Sequence, residues 1–205
     1  MTPHRPHYVS EAIRWCALSV GWATVAGGTS LAAGAAAGSV ALVGFGADSI
    51  VDGSASAVLV WRFGRERSGA TGTEVIERRA NRIVGAILIL IGLYLTASAI
   101  AELANHSAPD RSTLGLVLTA ASVLVLPVLA RAKLNLARPL ESSALREDGV
   151  LSLAGAALAA ATLLSLLLNA SFGWWWSDAV AALMISATLI REGLRTSHPK
   201  RSTRP

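Results

Sequence analysis

Charged and polar positions cluster along the chain and divide it into six apolar runs, at 15–37, 40–61, 83–104, 114–130, 149–172 and 174–190. Each is near the roughly 17–25 residues a helix needs to cross a hydrocarbon core. A helix satisfies its own backbone polar groups, so it spans where a loop cannot. The pattern predicts an all-α membrane protein, a six-transmembrane-helix bundle. Pro127 falls near the inner end of the fourth run, the sixth run is as short as the fourth and no other is shorter, and the fifth helix is expected to reach back toward Glu141. The first run is too long for a secretory h-region and reads as a retained helix. On this division, 1–14 is a cytoplasmic N-terminal segment, 15–193 the transmembrane domain and 194–205 a cytoplasmic tail, with no soluble domain.

Composition strengthens this reading. The 205 residues are 53% hydrophobic and only 15% charged, whereas a soluble domain carries about 25% charge. The net charge of +5 does not point to nucleic acid, because the arginines sit between apolar runs and form no basic stripe interleaved with aromatics. Cys16 is the one cysteine, so neither an intrachain disulfide nor a multi-thiolate metal site is available, and a small buried side chain is expected there.

Orientation follows from Lys and Arg, which collect on the cytoplasmic side. With six spans, seventeen of the 18 basic residues fall on one side and only Arg111 on the other. Both termini are therefore expected in the cytoplasm, at the plasma (inner) membrane. Trp174, Trp175 and Trp176 then mark the outer interface and Trp61 the inner one. The 62–82 segment mixes Glu66, Glu74 and Glu77 with its arginines and reads as a solvated linker. Gly27, Gly28, Gly34 and Gly38 crowd the first helix and favour close helix packing.

Acids inside apolar runs need a reason, since a carboxylate at the bilayer centre costs roughly 2.5–3.5 kcal/mol on insertion scales. Asp48 and Asp52 stand four apart in the second run, stacked one turn apart on one face. At about 1.5 Å per residue they lie about 12 Å and about 18 Å below the outer end of that helix. Such a pair repels itself until a divalent cation or protons intervene, which is the chemistry of an antiporter. The plainer alternative is two protonated side chains hydrogen-bonding between helices. Every basic residue is expected near a membrane surface, which argues against a structural salt bridge at this depth.

Asp148 opens the fifth run, with Ser152 one turn on along the same face and Glu147 about 100° away, toward Arg146 or headgroups. From Asp148 to Phe172 is about 36 Å of helix, so Asp148 is level with the helix-two pair only if that helix tilts or projects. Asp178 stands at the start of the sixth helix, where an acid caps free amides or, less simply, binds metal. Glu102 and His106 at the end of the third helix offer a weak release site or ordinary surface solvation. His4, His7 and His198 lie in tails without ligand spacing.

Gly38-Ser39-Val40-Ala41-Leu42 running into Asp48-Ser49-Ile50-Val51-Asp52, then Ala144-Leu145-Arg146-Glu147-Asp148 and Trp176-Ser177-Asp178-Ala179-Val180-Ala181-Ala182-Leu183, together resemble the cation diffusion facilitator family of divalent-metal/proton antiporters. The likeness runs from about Arg14 to Gly193. It implies a six-helix bundle acting as a homodimer, with a central metal site of two ligands from helix two and two from helix five. Asp48, Asp52 and Asp148 match three of these, while the fourth, usually His or Asp, falls on Ala144. Three carboxylates make an all-oxygen site that leans toward Mn²⁺ or Mg²⁺, although Zn²⁺ also accepts carboxylates. The chain looks like a short form retaining only the transmembrane part, without a His-rich loop or C-terminal metal-binding domain.

The expected function is secondary transport, exporting a divalent cation (Zn, Mn or similar) from the cytoplasm by proton antiport. The cation is cargo, no cofactor is expected, and the partners are metal ions, protons, the lipid bilayer and a second copy of the chain. The alternative is a non-transporting metal-sensing or scaffold subunit, motivated by the gap at Ala144. An enzyme is not expected, because no nucleophile, base and orienting group cluster.

Overall fold

The computed structural model describes residues 5–67, 74–107 and 109–197. These form α1 Arg5–Ala37, α2 Val40–Arg67, α3 Glu74–Asn105, α4 Thr113–Ala137, α5 Ser143–Phe172 and α6 Trp176–Ser197, with no strand among the described residues. Five of the six helices, α1 to α5, are long and apolar enough to cross a membrane. The sixth, α6, is shorter and more polar, with Arg191, Glu192 and Arg195 in its second half.

Most of the helices outrun the apolar runs that announce them. The first starts at Arg5 rather than 15, and α4 continues beyond 130 to Ala137. Hydropathy stops at the first charge, but a helical backbone does not, because a long cationic side chain can bend toward water while its stem stays in the helix surface. The segments expected as a linker at 62–82 and a tail at 194–205 are helical where described, to Arg67, from Glu74 and to Ser197. Positions 68–73 and 198–205, and with them His198, lie outside the described residues, as does His4.

Local chemistry sets the ends. Ser112 and Ser142 cap α4 and α5 by accepting from the Gly115 and Leu145 amides. Gly173 closes α5 in the left-handed region at φ 66°, its N–H donating to the Asn169 carbonyl. Gly38 makes the α1–α2 turn at φ 68°.

The helices pack chiefly as α1 on α2, α3 on α6 and α4 on α5, with α2 also meeting α3, α5 and α6. Of the crowded glycines, Gly27 and Gly34 both lie at the close α1–α2 approach, and the fit against backbone is tightest at Gly34. A Cβ there would lie 2.7 Å from the Val43 nitrogen, while Gly28 faces open space.

Two buried apolar clusters divide the interior. One gathers Leu42, Phe45, Leu95, Leu158 and Ile185, and the other Val9, Cys16, Leu59, Phe63, Leu136 and Leu145. On α2 the first cluster is built around positions 41–45 and the second around 59–63. The stretch between them holds Asp48, Asp52 and Ser56, all buried.

Gly34→Val is expected to cost about 1–3 kcal/mol by overpacking against backbone, and Gly28→Ala to stay within about 0.5 kcal/mol. Equilibrium unfolding in mixed micelles measures both.

Candidate functional site

The polar layer is a ladder between α2 and α5. The two helices present short rows that run in opposite directions. Gly155 stands beside Asp48, where a Cβ would lie 3.6 Å from Oδ2. Ser152 donates to Asp52 Oδ2 at 3.2 Å. Ser56 donates to Asp148 at 3.0 Å from Oδ1 and 3.1 Å from Oδ2. Each row follows helical spacing, Asp48-Asp52-Ser56 at four-residue steps and Asp148-Ser152-Gly155 at four and then three. Asp148 is therefore level with Ser56, one turn beyond Asp52 toward the end of the bundle that carries Arg14 and Arg138. Of the two placements the sequence left open, the structure takes the one nearer the basic end.

A third helix completes the layer. Lys133 on α4 is fully buried and its Nζ lies 2.8 Å from Asp148 Oδ2. The same nitrogen donates to Ser56 Oγ and Ser152 Oγ, each at 2.9 Å. An ammonium has three N–H donors, and here all three have acceptors. Each serine in turn passes its own hydrogen to a carboxylate, Ser56 to Asp148 and Ser152 to Asp52. Cys16, on the α1 side, places Sγ 4.0 Å from Asp148 Oδ2.

This corrects the expectation that every basic residue lies at a membrane surface. Among the described Lys and Arg side chains, Lys133 alone is buried. It escaped notice because Arg131 and Lys133 follow the apolar run and read together as its boundary. Two residues apart, they point about 200° apart around the axis, so Arg131 faces out and Lys133 in. The helical spacing beyond 130 carried that signal, since Leu126, Leu129, Lys133 and Leu136 make one buried stripe. Ser56 was also missed, although it continues the Asp48-Asp52 row by one turn.

Asp48 and Asp52 meet a small cavity of about 10 Å³ also lined by Trp22, Ser49, Leu126 and Gly155. That is about the volume one water centre requires. Among the described residues no group of three or more His, Cys, Asp or Glu side chains is set to hold a metal. The acids are strung along the ladder rather than converged on a point. Ala144 packs against the apolar cluster around Cys16 and Leu145, so the fourth-ligand position is filled by apolar contact.

The remaining acids part company with the site. Asp178 is fully buried in the first turn of α6 but serves α2, accepting from Ser39 Oγ at 2.6 Å and the Ala41 amide at 2.9 Å. Ser165 of α5 donates to the same carboxylate at 3.4 Å. The dipole rule for acids at helix starts holds, but the helix capped is a neighbour. Glu102 is buried, not solvated, and neither carboxylate oxygen has a hydrogen-bond partner among the described residues. His106 is turned away against Trp175, ring centroids 4.5 Å apart. Glu147 and Arg146 are exposed.

Comparison with known proteins places the chain in a family. The cation efflux transmembrane domain matches residues 17–202. Transmembrane protein 163 of Xenopus laevis is 27% identical over 197 residues, covering 93% of this chain and 69% of that protein.

Lys133→Ala is expected to cost about 3–5 kcal/mol by stranding a buried carboxylate. Lys133→Ala combined with Asp148→Ala should cost clearly less than Lys133→Ala alone. Unfolding of both variants and of Asp148→Ala in mixed micelles completes the cycle, and a double-variant loss equal to the sum of the two single losses would mean the pair is not coupled.

Proposed function

Because the chain belongs to the cation efflux family, a family of metal cation transporters, we propose that it exports a divalent cation from the cytoplasm in exchange for protons, on a site formed by Asp48, Asp52 and Asp148. The observation that carries this reading is the charge balance of the buried layer. Three carboxylates face one ammonium, Lys133. When all are ionised the layer is left with two uncompensated negative charges, the complement of one divalent ion or of two protons. Exchange of the one for the other keeps the interior neutral at both ends of the cycle, which an apolar surrounding strongly favours.

Asp48 and Asp52, beside the small cavity, are the first ligands in this proposal. The serine hydroxyls and Asp148 supply the remaining oxygens. An all-oxygen set favours Mn²⁺ or Mg²⁺ and tolerates Zn²⁺. In this reading α6 is the sixth span, completed by its packing on α3. Both termini are cytoplasmic, with Arg14, Arg62, Arg138 and Arg146 at the inner face and the stacked Trp174 and Trp176 at the outer one. Rocking of the bundle about the buried layer alternates access, and dimerisation would use the membrane helices.

A second reading, a non-transporting metal-sensing or scaffold subunit, draws on the ion pair that occupies Asp148. Proteoliposomes loaded with a metal-sensitive dye distinguish the two. Export predicts Mn²⁺ or Zn²⁺ flux driven by a pH gradient, reduced at least roughly tenfold by Asp48→Asn or Asp52→Asn, in line with the loss of a directly coordinating group. Binding without flux favours the sensor, and flux indifferent to both substitutions rejects the proposed site.

A further inference from the structure

We propose that Lys133 is a tethered cation that competes with the transported ion for Asp148, so that a divalent metal gains its third carboxylate only by displacing the ammonium. This rests on Asp48, Asp52 and Asp148 being the ligands. What it adds is a residue on a third helix that sets how tightly they hold their cargo.

Both occupants need the same oxygens. The ammonium sits 2.8 Å from Asp148 Oδ2 and directs its other hydrogens to Ser56 and Ser152, the hydroxyls that donate to Asp148 and Asp52. A metal using Asp148 would stand within a few ångströms of a fixed positive charge in a buried, poorly screened layer. There the repulsion between the two is several-fold stronger than in water. The two cannot share the carboxylate, and the flexible four-carbon stem lets the ammonium swing off Asp148 while its charge stays within the layer, so the balance of one divalent ion against two charges is kept. No other described cation is buried in the layer. The apolar packing of Ala144 supplies no acid to compensate.

The placement on α4 has a mechanical consequence. The carboxylates ride on α2 and α5, while the competing charge rides on α4. Any shift of α4 along α5 changes the contest for Asp148. Approach of Lys133 expels the metal, and its retreat opens the third ligand. In the arrangement described here the ammonium holds the acid.

The test is calorimetric titration of Mn²⁺ into the full chain in detergent micelles, for wild type, Lys133→Met, Lys133→Gln and Asp48→Asn. Removing the charge is expected to tighten Mn²⁺ binding by roughly tenfold or more, with Asp48→Asn abolishing it. A metal affinity unchanged or weakened in both Lys133 variants, with binding still lost in Asp48→Asn, overturns the competition and leaves the ligand assignment standing. Binding insensitive to Asp48→Asn removes the assignment and this inference together. Should both Lys133 variants be too unstable to titrate, thermal unfolding decides. A melting temperature restored by Mn²⁺ supports the competition. Restoration by adding Asp148→Asn, but not by Mn²⁺, makes Lys133 a purely structural counter-ion and overturns it.

Discussion

A lysine ammonium with no access to water must be matched by a carboxylate and must spend every hydrogen it has, and the centre of this bundle is arranged around that demand. Lys133 reaches in from α4 and finds Asp148 on α5, Ser56 on α2 and Ser152 on α5. Three helices are tied at one level by a single nitrogen. An isolated ion there would be prohibitively unfavourable, and even a well-made buried pair gives little net stability over an apolar one. What the pair does fix is geometry, since the ammonium is satisfied only where Asp148, Ser56 and Ser152 meet it.

The two serines make the network more than a pair. Each accepts from the ammonium and donates to an acid, so the positive charge is conveyed directly to Asp148 and by one hydroxyl to Asp52. Asp48, at the far end of the ladder, is the acid most remote from Lys133 in this sequence of contacts. The layer thus grades from a neutralised end, near Cys16 and the basic surface, to an uncompensated end beside the small cavity.

The rest of the fold serves to hold α2 where its acids meet α5. On one side α1 approaches closely at Gly34. At its start, Asp178 from α6 grips Ser39 and the Ala41 amide. The apolar clusters above and below keep the polar layer from widening. Asp178 is therefore buried as the cap of a neighbouring helix, while the ladder acids face an ammonium, two serines and a small cavity, although residue type and hydropathy context look alike for both.

Composition and spacing alone determined that the chain is helical and membrane-embedded, where its helices lie to within about ten residues at each end, and that Asp48 and Asp52 share a face with Asp148 from a later helix in reserve. These follow from local rules, namely the length a bilayer requires, the 3.6-residue period and the cost of an acid in hydrocarbon. Only the tertiary structure decided that Asp148 sits a turn below the pair, that Asp178 caps a neighbouring helix and that Glu102 is buried. It alone brought Lys133 into the interior. The reason is the same in each case. A one-dimensional pattern says which side of its own helix a residue occupies, but whether that side meets lipid, water or another helix depends on how the helices are laid against one another. A lysine at the edge of an apolar run is equally suited to the membrane surface and to a buried carboxylate until α5 is packed beside it.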